Sequence, residues 1–328
     1  MAMNKKTMKI SVIILSIMMV FVFTGCGGSS EKVTFVLDWT PNTNHTGIYA
    51  ALELGYFDEA GLEVEIIQPA DGTAEQLVAA DTAQFGISYQ ENVTTARAQG
   101  VPIVSLAAVI QHNTSGFISM KDRNINSPVD FEGMKYGGWG TEIETATVRY
   151  LMEQNGADPE KVEIVTMGDT DFLASSDSGE VDFAWVFAGW TLMDARLKGY
   201  EVNYFDMVEF SDVFDYYTPV IITNEKNIAD NKKMVEKFMS AASKGYTYAI
   251  ENPEEAAGIL LKHAPELEES LVLESQKYLA DKYMDDAPYW GYQDKAVWNR
   301  YTEWLLENGF IEDDVDTGKA FTNDFLND

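Results

Sequence analysis

A single cysteine, Cys26, stands in 328 residues. That count excludes a disulfide framework, a thiolate metal cluster and a catalytic thiol inside the fold. Histidine is nearly as scarce. His45, His112 and His263 are scattered without metal-ligand spacing, so the sequence predicts neither a metal centre nor a cofactor. Also missing are a Gly-x-Ser-x-Gly elbow, a P-loop and a His-Glu-x-x-His helix, which leaves an enzymatic reading without a motif. Paired acids such as Asp285-Asp286 read as solvated surface in so acidic a chain.

Positive charge is the other shortage. The chain has 23 Lys+Arg against 53 Asp+Glu, and the first 25 residues hold three of the lysines and no acid. From Cys26 onward the balance is therefore 20 against 53, a net charge of −33. Such a surface repels nucleic acid and anionic lipid headgroups. With 46% hydrophobic and 12% aromatic residues the chain still has ample material for a core.

Residues 1–25 read as a signal peptide. Lys5, Lys6 and Lys9 precede an apolar run from Ile10 to Phe23, which is short of the roughly 20 residues a membrane span needs. Phe23-Thr24-Gly25-Cys26 resembles the bacterial lipobox. The resemblance implies cleavage before Cys26, acylation of its thiol, and a protein held by lipid at the outer face of the cytoplasmic membrane. Residues 26–31 are then anchor and tether, with Gly27-Gly28-Ser29-Ser30 as flexible chain.

The remaining sequence alternates strand and helix signals. Lys32 to Leu37, Leu62 to Ile67, Gln84 to Tyr89 and Val101 to Ile110 are β-rich, with Thr46 and Thr73 placed to cap intervening helices. A second unit follows, with strands at Lys135–Gly138, Val162–Met167 and Val181–Trp185 and a helix at Thr141–Glu153. Beyond Thr218–Thr223 the pattern is almost wholly helical. The expectation is an α/β protein of two lobes, 32–118 plus 224–328 and 119–223, each a mainly parallel sheet flanked by helices. The chain crosses near Ser119 and Pro219, and the C-terminal helices pack on the first lobe. Loops at 38–46, 68–73, 89–92, 137–142 and 185–190 then face one cleft, because ligands of such sheets sit beyond the carboxyl ends of strands.

Asp38-Trp39-Thr40-Pro41-Asn42-Thr43-Asn44-His45-Thr46-Gly47-Ile48-Tyr49, with Gly55-Tyr56-Phe57 and Gly61-Leu62-Glu63-Val64 after it, resembles the opening of the thiamine-pyrimidine-precursor binding proteins of ABC importers. Phe85 to Glu91 and Gly137-Gly138-Trp139-Gly140 fall where that family has its second and third ligand loops. The resemblance runs over residues 32–328. It implies a type II periplasmic-binding-protein (Venus flytrap) fold and a membrane permease as partner; soluble capture suggests a monomer, and the missing catalytic motifs make binding without turnover the economical reading. In the eukaryotic pyrimidine synthases of the superfamily, the loop matching Tyr89-Gln90-Glu91-Asn92 carries a histidine consumed as substrate; Asn92 stands there instead.

The candidate ligand residues are Asp38, Trp39, Asn42, His45, Tyr89, Asn92, Trp139, Glu142, Glu144, Trp185 and Trp190. Flat aromatic faces in cleft loops suit a small planar heteroaromatic solute. Trp39 and Trp139, flanked by small or polar residues, favour the cleft, whereas Trp185 and Phe187 fit core and cleft equally. His45, beside Asn42 and Asn44, is expected to touch ligand, with Asp38 orienting it or binding a ligand amine directly. Glu142 and Glu144 either complement the dipole of their helix or accept hydrogen bonds from an exocyclic amine or protonated ring nitrogen. No Lys or Arg lies in the loops at 38–46, 68–73, 89–92 or 137–142, which argues against sulfonate, nitrate or phosphate. Another solute, such as riboflavin, taurine or nitrate, and an extracellular pyrimidine-processing enzyme are the alternatives.

Overall fold

Short β-rich runs separated by capped helices build two five-stranded sheets. In the computed structural model, which describes residues 30–326 except 70, 71, 169, 313 and 314, the first run forms β1 (Glu31–Val36) with Val33, Phe35 and Val36 buried. The leader, Cys26 and residues 27–29 lie outside the described residues. β2 (Leu62–Ile67), β3 (Phe85–Ser88) and β4 (Ile103–Ala108) follow, each after a helix. The helix Ala74–Ala79 begins at Thr73, whose hydroxyl accepts from the Gln76 N–H while the Gln76 side chain accepts from the Thr73 N–H. This reciprocal cap satisfies two otherwise orphaned donors.

The second sheet holds β5 (Ser115–Met120), β6 (Lys135–Gly138), β7 (Glu163–Thr166), β8 (Phe183–Phe187) and β9 (Val202–Asp206), and β10 (Val220–Asn224) returns to the first. The strand orders are β2-β1-β3-β10-β4 and β7-β6-β8-β5-β9. β1 pairs parallel with β2 and β3, and β6 with β7 and β8. β10 is antiparallel to both its neighbours, and so is β5. Each sheet is thus mainly parallel with one reversed strand, and that strand is the first one laid down after a crossing.

Two expectations about the connections change. Ser119 is inside β5, opposite Phe183 and Asn203, so the first crossing is 109–114 and not near Ser119. A β-rich run reads alike in either sheet, which is why its lobe was not evident. The C-terminal helices also divide. Helix Lys232–Glu251 packs on the first lobe, where Phe238 stacks on Phe85 at 3.9 Å between ring centroids and lies against Phe35 and Phe57. Helix Lys295–Glu307 instead spans both lobes. Its Trp298 packs with Val36 and Ile222, whereas Tyr301, Trp304 and Leu305 pack with Phe214 and the second-lobe core.

Thr46 does not cap the first long helix. The cap is made earlier, at Asn42, whose side chain accepts from the Asn44 N–H and closes the turn Thr43–His45. Helix Thr46–Glu53 then presses on helix Lys232–Glu251 through two glycines: a Cβ on Gly47 would fall inside the Tyr246 ring, and one on Gly245 would meet the Gly47 carbonyl. Gly47→Ala is therefore expected to destabilise the chain by about 1–3 kcal/mol through overpacking. A lowered urea midpoint at unchanged slope is the reading that checks it.

Candidate functional site

The first-lobe wall grows from the carboxyl ends of β1 and β3, where Asp38 and Tyr89 stand. The Asn42 N–H donates to His45 Nδ1 at 3.2 Å, which leaves the proton of the ring on Nε2, 2.7 Å from Asp38 Oδ1. The Tyr89 hydroxyl donates to Asp38 Oδ2. Both carboxylate oxygens are thereby satisfied. Burial works to raise the Asp38 carboxyl, but attraction to His45 and the hydrogen bonds from His45 and Tyr89 hold it below the ordinary carboxylate range. Burial first, and then Asp38, push the Tyr89 phenol well up, so it stays a donor. From beneath, the Tyr283 hydroxyl donates to Thr43 O at 2.6 Å and Tyr246 to Asn44 O at 2.7 Å, fixing the loop on the helical layer.

The second-lobe wall follows β6. Glu144, at the third position of helix Glu142–Gln154, folds back under the loop 138–141. Its carboxylate accepts from Tyr136 Oη at 2.6 Å, from the Trp139 N–H at 3.0 Å and from the Gly140 N–H at 3.0 Å. Gly138 makes room for this, since a Cβ there would lie 2.5 Å from Glu144 Oε1, and Gly140 takes a left-handed backbone at φ 93°. The result lifts Trp139 outward, 43% exposed, with its ring edge-on to the buried Trp185 at 5.8 Å.

Between the walls lies a group of carboxylates that the sequence reading did not single out. Glu91, at the start of helix Gln90–Ala98, accepts from the Tyr216 hydroxyl at 2.9 Å and from Tyr301 at 3.4 Å. Glu75 accepts from Ser88 and, at 3.0 Å, from Asn92 Nδ2. Burial raises the Glu91 carboxyl against the pull of the two tyrosines, and Glu144 from the opposite lobe and Glu75 raise it further. Glu91 thus ties Tyr216 and Tyr301 together through one carboxylate. Among the described residues, none of Asp38, Glu75, Glu91 and Glu144 pairs with a lysine or arginine. The arrangement suits a solute that brings N–H donors or positive charge, and disfavours an anion.

The match to known proteins agrees with the whole architecture. Residues 42–256 match the model of the family described as NMT1/THI5 like. The chain belongs to the NMT1/THI5-like family. Among relatives, the formylaminopyrimidine-binding protein of Halalkalibacterium halodurans is 31% identical over 299 residues, 89% of this chain and 90% of the relative. The 4-amino-5-hydroxymethyl-2-methylpyrimidine phosphate synthase of Legionella pneumophila is 26% identical, over 91% of this chain and 93% of its own length. Among solved structures, the periplasmic aliphatic sulphonate binding protein SsuA from Escherichia coli superposes with a TM-score of 0.67 at 13% identity, covering 88% of this chain and 97% of that one. The last likeness establishes the two-lobed binding-protein fold. The relatives thus include both a named binding protein and a named synthase.

Within this NMT1/THI5-like chain the predicted site residues separate into surface and support. Trp39 (50% exposed), Trp139 and Asn92 are exposed, and Tyr89 is half-buried. His45 is fully buried with both ring nitrogens engaged, which corrects the expectation that it touches ligand: it positions Asp38. Asn42 is spent on its cap, with Nδ2 on Thr40 O at 3.0 Å. Glu144 organises its loop and does not project from it. Glu142 is exposed and lines an outer groove with Arg149, Tyr150 and Phe310. Trp185 belongs to the second-lobe core. Trp190 crosses to the first lobe, packing against Tyr49, Leu260 and Val272, and is an interlobe contact instead of a stacking surface. The short spacing Thr141-x-x-Glu144 was the available signal for the capping role of Glu144; nothing local marked Glu91, Tyr216 and Tyr301, which meet only in the fold. Replacing Glu144 by Ala strands the Tyr136 hydroxyl and two loop N–H groups, and a stability loss of about 1–3 kcal/mol is expected by chemical denaturation.

Proposed function

We propose that this chain is the extracytoplasmic solute-binding protein of an ABC importer, capturing a thiamine pyrimidine precursor of the formylaminopyrimidine or hydroxymethylpyrimidine type between its lobes. The observation that carries the reading is a cleft whose carboxylates have no lysine or arginine partner among the described residues and whose rims each present an exposed tryptophan. A planar aminopyrimidine complements both features, with ring faces for Trp39 and Trp139 and exocyclic N–H groups for the acids. The name of the Halalkalibacterium halodurans relative supports the same ligand class.

Capture works by closure. Solute that touches both walls stabilises the closed arrangement over the open one, because only the closed state makes both sets of contacts. The closed monomer then docks on its permease. Chemistry on the solute has no support in the loop matching the synthase histidine, where Asn92 donates to Glu75. Cys26, as the lipidated N-terminus of the processed chain, holds the protein beside the transporter.

Two outcomes test this reading. In calorimetry, Trp39→Ala and Trp139→Ala are each expected to weaken aminopyrimidine binding by about 1–3 kcal/mol, the scale of one lost stacking surface; a thermal-shift panel should show stabilisation by aminopyrimidines and none by taurine or nitrate. Selective stabilisation by a sulfonate, or unchanged affinity in both variants, sinks the proposal. For the anchor, Cys26→Ser should release the protein from the membrane fraction and abolish incorporation of labelled fatty acid.

A further inference from the structure

The first crossing segment carries a histidine whose surroundings are those of a metal ligand. His112 Nδ1 lies 2.8 Å from Asp215 Oδ2, and Nε2 lies 3.1 Å from Asp286 Oδ1. Asp215 is itself fixed, because its Oδ1 accepts from the Asn113 N–H at 3.1 Å. The segment is docked by the Gln111 N–H on Lys282 O at 3.0 Å. One ring nitrogen is thus oriented by a held carboxylate, and the other points at a pair of acids. His112, Asp285 and Asp286 each offer a ligand atom, all within 4.8 Å of one another. Lys282 Nζ takes Asp285 Oδ2 at 3.3 Å, and the carboxylate keeps a second oxygen.

We propose that His112 Nε2, Asp285 and Asp286 form a site for a divalent cation of zinc-like preference, with Asp215 as the carboxylate that orients the imidazole. A carboxylate behind a ligating histidine fixes the ring and raises its donor strength, an arrangement that recurs at metal sites. Three protein ligands at about 2.0–2.2 Å, with water completing the tetrahedron, suit zinc. One imidazole with two carboxylates ranks zinc above manganese, and both above magnesium. Both ring nitrogens now face carboxylate oxygens, so both carry protons; the ion replaces the one on Nε2, which leaves to solvent. Linear spacing concealed the site, because 112 and 285–286 meet only through folding. It straddles the crossing: an ion there binds the segment between the lobes to the tail of the helix Glu269–Ala280 on the first lobe.

Titration of the chelator-treated chain with zinc, manganese and magnesium chlorides in a calorimeter tests this. One zinc per chain is expected, with manganese weaker and no saturable magnesium binding. Asp285→Asn and Asp286→Asn, at exposed positions, should abolish zinc binding while leaving the metal-free melting temperature near that of the parent. Asp215→Asn should weaken zinc about tenfold or more while leaving its stoichiometry at one. Zinc binding unchanged in both the 285 and 286 variants, magnesium binding as tightly as zinc, or no saturable zinc binding overturns the proposal.

Discussion

Buried carboxylates held without lysine or arginine are the constraint on which both walls of the cleft depend. A chain with 53 acids and 23 Lys+Arg cannot give each acid a cation. At Asp38 and Glu144 the charge is met by an imidazole N–H, phenols and backbone N–H groups. Hydrogen bonds of this kind to a charged acceptor are short and directional, so they fix loop geometry as well as satisfy the acid. Each acid also sits at the carboxyl end of a strand or the first turn of a helix, where free N–H groups are plentiful. The cleft therefore keeps its negative character, since no lysine or arginine has been brought in to stabilise it.

Much of this was legible in the residues. Alternation along Leu62–Ile67, the cap at Thr73 and the punctuating glycines located first-lobe strands and helices to within a residue or two, because these signals are local. Roles inside the loops were less legible. His45 and Glu144 have the chemistry of ligand contacts, but which way a polar side chain turns depends on where unsatisfied donors lie, and those belong to Asn42, Tyr136 and the 138–141 backbone. Glu91 carries no local signal, because its meaning comes from Tyr216 and Tyr301, 125 and 210 residues away.

The connections show the same division. β5 and β10 are ordinary strands by composition, yet each is reversed in its sheet, and the sheet a strand joins is decided by pairing partners far along the chain. Trp190 likewise read as a cleft aromatic from its loop position, while its partners are helical residues of the other lobe.

Helix Lys295–Glu307 has Trp298 in one core and Trp304 in the other. Two covalent segments alone would let the halves of the molecule twist as well as open. A rigid rod seated in both halves adds a third point of attachment out of line with the peptide connections, as a third fastening stiffens a door. With both tryptophans seated, twist of one half against the other is resisted, and the register of the two rims is held.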